Sequence, residues 1–131
     1  MVLIRKVSEG NCFLLAGIFY TLFITVFSLF PSQDLPKIDW FTADKIGHIG
    51  MHFILCMIWL LFYFTKNIGR DFFKGIGLVF GLCLFYGIVI EIFQEVFTAS
   101  RTADVFDVAA NVIGSTLGVL VFWKVKPFFK I

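Results

Sequence analysis

Three clusters of polar residues stand out in a chain that is otherwise rich in apolar sequence. Asp44, Lys45 and His48 form the first, Glu91 and Gln94 the second, and Arg101, Asp107 and Asn111 the third. Together they offer carboxylates and an imidazole for sharing protons near neutral pH. Lys45 and Arg101 can contact phosphate or carboxylate oxygens, and the amides of Gln94 and Asn111 can donate and accept toward sugar or amide groups. A charge at mid-depth in hydrocarbon costs roughly 2.5 to 3.5 kcal/mol on insertion scales. Groups that expensive call for a site or for one another.

The surroundings that must position these residues are membrane-like. The 131 residues are 60% hydrophobic and 19% aromatic, with a mean hydropathy of +0.94, more than a soluble domain of this length can bury in one core. The expected fold is all-α, a single-domain polytopic bundle of four transmembrane helices with spans at about 12–30, 46–65, 75–97 and 105–123. The first apolar run, Cys12 to Phe30, is 19 residues long, and the SLFPSQ at its end, residues 28–33, lacks a small-x-small cleavage pattern. It reads as a retained helix rather than a secretory signal. Cys12, Cys56 and Cys83 lie in apolar runs and read as small buried hydrophobes.

Glycines at 75, 77, 81 and 87 leave one flank of the third span without bulk, and Gly77 with Gly81 forms a small-xxx-small pair suited to close helix approach. In the fourth span Asn111, Gly114 and Gly118 continue the face of Asp104 and Asp107. That face is polar at its start and bare farther down, where a partner helix should pack. The cap of this helix is expected at Thr102 or Ala103, with both aspartates in the first turn.

Charge distribution gives the orientation. With four spans, Arg5, Lys6, Lys66, Arg70, Lys74, Lys124, Lys126 and Lys130 share one side, eight of the eleven basic residues. Basic short loops stay in the cytoplasm, so both termini are expected there. Asp44, Lys45, His48, Glu91, Gln94, Arg101, Asp107 and Asn111 then converge at the outer ends of three helices distant in sequence.

The order DKIGH at 44 to 48, an aromatic-rich helix, E91xxQ94, R101 and D107xxxN111xxG114xxxG118 resembles the VanZ-like family of small bacterial membrane proteins over roughly residues 40 to 120. The resemblance implies a four-helix integral protein of the bacterial cell envelope, residing in the cytoplasmic membrane. Position by position it marks Asp44, Lys45, His48, Glu91, Gln94, Arg101, Asp107 and Asn111. An aromatic would be more typical at His52 and a small hydroxyl residue at Asp104. The family's namesake is associated with resistance to the glycopeptide teicoplanin, a phenotype the resemblance does not carry to this chain.

These residues point to an outer-side site for an anionic or lipid-linked envelope molecule, with membrane lipids as partners, a homo-oligomer as one possible assembly, and no nucleic acid. Arg101 and Lys45 are the expected anion contacts, His48 and Glu91 a proton-sharing pair, and Asp107 and Asn111 orienters. Catalysis is the competing class: His48 and Glu91 are the candidates for a hydrolase or transferase acting on a lipid phosphate, but no nucleophile is supported by a motif. A small lipid or solute transporter would need ionisable groups in the opposite half of the helices. A structural protein would instead match Lys45 with Asp107, His48 with Glu91 and Arg101 with either acid. His48 and His52 have the four-residue spacing of helical zinc sites, yet IGM between them lacks the catalytic glutamate. No metal or cofactor is assigned.

Overall fold

The structure, a computed structural model, describes residues 2–29, 40–67, 69–98 and 103–129, with side chains described from Ser8 in the first stretch and from Ala43 in the second. Helix α1 spans Val2–Ser28, α2 Trp40–Lys66, α3 Phe72–Phe97 and α4 Val105–Val125, and a 3₁₀ turn over Lys126–Phe129 follows. Among the described residues there is no strand. Stretches of 21, 24, 26 and 25 residues in these helices are long and apolar enough to cross a membrane, since about 20 residues at 1.5 Å each traverse the hydrocarbon.

Helix boundaries follow local chemistry. Gly69, at φ +82°, takes the left-handed turn between α2 and α3 that a side chain would resist. Asp71 then caps α3 by accepting from the Lys74 backbone N–H at 3.0 Å. Asp104 itself caps α4, accepting from the Phe106 N–H at 2.9 Å. The cap therefore lies one or two residues later than Thr102 or Ala103. Pro127, in the 3₁₀ turn, lacks the N–H needed to continue an α-helix.

Helix α2 is the centre of the bundle: it packs most extensively on α4, then on α1 and α3. Large apolar side chains such as Phe19, Phe85, Phe97 and Trp123 face outward, as lipid-facing helices require. Inside, Phe64 stacks on Phe122 with centroids 5.3 Å apart, within a cluster that includes Ile24, Leu55, Leu60, Val79 and the buried Cys56 and Cys83. Cys12, expected to be buried, is exposed. Hydrocarbon is as apolar as leucine, so close packing and hydrogen bonds rather than water exclusion hold such helices together.

The closest approach is between α2 and α4. A Cβ at Gly114 would collide with the Ile49 carbonyl, and one at Gly118 would stand 3.0 Å from both the Phe53 carbonyl oxygen and Cys56 Cβ. On α3 the expected flank divides. Gly75 meets the Tyr63 and Phe64 rings and Gly87 meets His52 and Asn111, whereas Gly77 and Gly81 have nothing within 4 Å. The Gly77 and Gly81 pair therefore does not seat a helix within the bundle. The 100° step between helical residues turns these positions away from the face that carries Gly87.

Helix α1 is tied on by polar contacts. Tyr86 Oη donates to the Thr21 carbonyl at 3.1 Å and lies 2.9 Å from Thr25 Oγ1, while Trp59 Nε1 donates to Thr21 Oγ1 at 3.2 Å. Below Tyr86 an apolar groove of about 320 Å³ runs between α1, α2 and α3, lined by Leu55, Trp59, Leu78, Val79 and Leu82 among others.

Candidate functional site

The start of α2, the end of α3 and the start of α4 meet at one end of the bundle, and the polar residues meet with them. Lys45 lies one helical turn before Ile49, the residue pressed against Gly114. The glycine contact thus brings the first turns of α2 and α4 together. Lys45 Nζ donates to Asp107 Oδ1, and to Asp104 Oδ2 at 2.6 Å. The carboxylate of Asp44 lies 4.0 Å away. Asp44, Lys45 and Asp104 form a partly exposed mouth, with Asp107 buried beneath it. Lys45, expected to contact a ligand anion, is held by two acids of α4.

Beneath the mouth lies a floor that is almost wholly buried: His48, Glu91 and Asn111 are 3%, 3% and 1% exposed. His48 Nδ1 and Asn111 Oδ1 are 3.1 Å apart. With the amide oxygen facing the ring, Nδ1 carries the proton and donates it. Glu91 Oε1 stands 3.6 Å from the same nitrogen, too far for a good hydrogen bond. On the ring's other side, Nε2 is 3.9 Å from Asp44 Oδ1. The spacing of four between Asp44 and His48 is what stacks them on one face.

Several polar atoms of the floor remain unspent. Among the described residues neither oxygen of Glu91 makes a hydrogen bond of good geometry, although the Asp104 backbone N–H lies close enough to act on the carboxylate, and Asn111 Nδ2 has no partner. One turn deeper, His52 Nδ1 and Ser115 Oγ are also buried without a partner, and the His52 ring lies 6.2 Å from that of Tyr86. Each unsatisfied buried group costs about 1 to 3 kcal/mol, a cost concentrated here rather than spread through the bundle.

Asp104, at the helix cap and outside the apolar span, has its carboxyl held below the usual carboxylate range by the hydrogen bond from the Lys45 ammonium, helped by the Phe106 N–H. Its neighbour Asp107 is buried. Asp44, His48 and Asp107 bring ligand-type atoms within 4.8 Å of one another.

A model of the VanZ/LLP1 family matches residues 13–129 of this chain. The chain belongs to that family. With its four apolar helices, this VanZ-family protein is a multi-pass membrane protein. Neither the curated proteins nor the solved structures include a match to it.

Of the residues singled out in the sequence of this family member, Asp44, Lys45, His48, Glu91, Asp107 and Asn111 meet in the structure. Gln94 is buried too, but its Nε2 donates to the Ser28 carbonyl at 3.0 Å, satisfying a terminal acceptor of α1. Arg101 lies outside the described residues. Asp104, left out of the sequence-derived set, joins through Lys45. The signal that could have found it was its place at the start of α4, where a short acid is a favoured cap.

Proposed function

We propose that this VanZ-family protein binds the headgroup of an anionic or glycosylated envelope lipid at the polar end of the bundle, in the outer half of the bacterial cytoplasmic membrane. The observation that carries the reading is Glu91: a carboxylate only 3% exposed, with both oxygens unmatched among the described residues. A group that costly in a membrane helix is by default functional. Hydroxyl or amide donors of a headgroup would satisfy Glu91, and Asn111 Nδ2, also unspent, would donate to a headgroup oxygen. Asp44, Lys45 and Asp104 are only partly buried and would form the entrance. Arg101 would supply an anion contact. The excess of basic residues on the opposite side supports cytoplasmic termini, which reporter fusions at each end would test.

An architectural role has one observation in its favour, the match of Lys45 with Asp104 and Asp107. A self-satisfied network would not leave Glu91 without a well-formed hydrogen bond among the described residues. The two readings separate in native mass spectrometry of the detergent-purified protein. Wild type should carry a co-purifying lipid that Glu91→Gln, nearly identical in shape, loses. Equal lipid content in both, or none in either, would leave the architectural reading standing.

A further inference from the structure

We propose that Asp44, His48 and Asp107 form a binding site for a divalent transition-metal cation, with Asn111 fixing the imidazole from behind. The inference builds on the headgroup reading, since such an ion would turn an acidic recess into a receptor for phosphate or hydroxyl oxygens. Its test reads separately.

The geometry begins with the histidine. Its Nδ1 is taken by Asn111 Oδ1 at 3.1 Å with the Glu91 carboxylate 3.6 Å away, which places the proton on Nδ1 and leaves the Nε2 lone pair for a cation. This is how metal-ligating histidines are oriented: the second ring nitrogen donates to a carboxylate or carbonyl, which fixes the tautomer and raises basicity. Nε2 faces Asp44 Oδ1 at 3.9 Å. That distance is too long for a hydrogen bond and somewhat longer than the about 3.4 Å that separates two tetrahedral ligands of one ion when each bond is near 2.1 Å, so binding would draw the group inward.

Asp107 completes the group, with ligand-type atoms of all three residues within 4.8 Å of one another. Lys45 engages Asp107 through Oδ1, and the carboxylate has a second oxygen. Asp104, 2.6 Å from the same ammonium, gives Lys45 another partner when Asp107 turns to an ion. The second observation is the buried Glu91 side chain, whose oxygens make no well-formed hydrogen bond among the described residues and whose Oε1 is directed at the histidine of the cluster. One imidazole with two carboxylates suits Zn²⁺ or Mn²⁺, where Mg²⁺ and Ca²⁺ prefer oxygen alone. Three protein ligands leave positions for water or a headgroup oxygen.

The test is equilibrium dialysis of untagged, chelator-stripped protein in detergent against Zn²⁺ and, separately, Mn²⁺, with metal content read by mass spectrometry. Wild type should take up one equivalent saturably. His48→Ala should lose it, and Asp44→Asn, at the partly exposed mouth where the buried packing is undisturbed, should weaken it at least tenfold. Asn111→Ala, which removes the acceptor of the Nδ1 proton, should weaken it about tenfold, as loss of an orienting partner does. Absence of saturable uptake by wild type, or equal uptake by wild type and Asp44→Asn, overturns the site. Metal uptake without any retained lipid would leave the ion in place and remove the headgroup. Lipid retained by a wild-type protein that takes up no metal would do the reverse.

Discussion

The seam between α2 and α4 has two halves built on opposite principles. Below, Gly114 and Gly118 let the helices touch through backbone, with Cys56 and Phe122 filled in around them and essentially no exposed surface. Above, the same two helices present Asp44, Lys45 and His48 to Asp104, Asp107 and Asn111, and α3 adds a glutamate with unmatched oxygens. The lower half is held by contact, with His52 Nδ1 and Ser115 Oγ left unmatched among the described residues. The upper half keeps unspent hydrogen-bonding capacity that only a rigid lower half could hold in place. Close packing and unspent polarity are thus divided along one seam, a turn of helix apart.

Breaking the lower half should produce the largest effect. Gly114→Ala drives a methyl into the Ile49 backbone carbonyl, and neither helix can yield without moving the other. A loss of about 3 kcal/mol or more is expected, at the upper end of overpacking costs, seen as a lowered melting temperature in detergent. A variant as stable as wild type would show that the helices are farther apart than described.

Breaking the upper half should cost no stability. Glu91→Gln trades a buried carboxylate for a neutral amide, which costs less to bury, so the variant should melt no lower than wild type while losing its lipid. A destabilised Glu91→Gln would mean that the carboxylate is already satisfied within the protein.

A smaller effect is expected at the mouth, and it depends on pH. Because Lys45 lowers the Asp104 carboxyl below its usual range, the pair contributes fully above the unfolded carboxylate pKa and is lost as pH falls through the depressed folded value. Melting of wild type and Asp104→Asn should therefore differ at neutral pH and converge only in strong acid. Convergence already at pH 5 to 6 would contradict the pairing.

The smallest effect sharpens the comparison from outside the seam. Gly77→Ala and Gly81→Ala meet nothing within 4 Å and should not destabilise, the better helix propensity of alanine adding at most about 0.5 to 1 kcal/mol. A large effect at either position in the purified protein would point to a second copy seated there.

The spans and the convergence of Asp44, His48, Glu91, Asp107 and Asn111 were legible because apolar length fixes where a helix crosses, and alternation fixes which ends meet. The match of Lys45 to Asp107 followed from the same alternation. The division of the α3 glycines was not legible. Gly75, Gly77, Gly81 and Gly87 are chemically identical, and only the rotation of α3 against its neighbours separates Gly87, against Asn111, from Gly81, against nothing. Gln94 looked like a ligand group for a related reason: sequence shows an amide at the right depth but not that the Ser28 carbonyl of α1 reaches it first. His52 and Ser115 extend the polar face deeper than expected, because a single hydroxyl or imidazole lowers the mean hydropathy of a long apolar run too little to mark it.

The central claim is that residues 63 positions apart meet beneath the mouth, His48 against Asn111. A double-mutant cycle of His48→Ala and Asn111→Ala, read as unfolding free energy in detergent, tests it most directly. The predicted result is a coupling of about 1 kcal/mol, the worth of a buried hydrogen bond. Strict additivity of the two substitutions would contradict the contact, and with it the shared site on which the rest of the account stands.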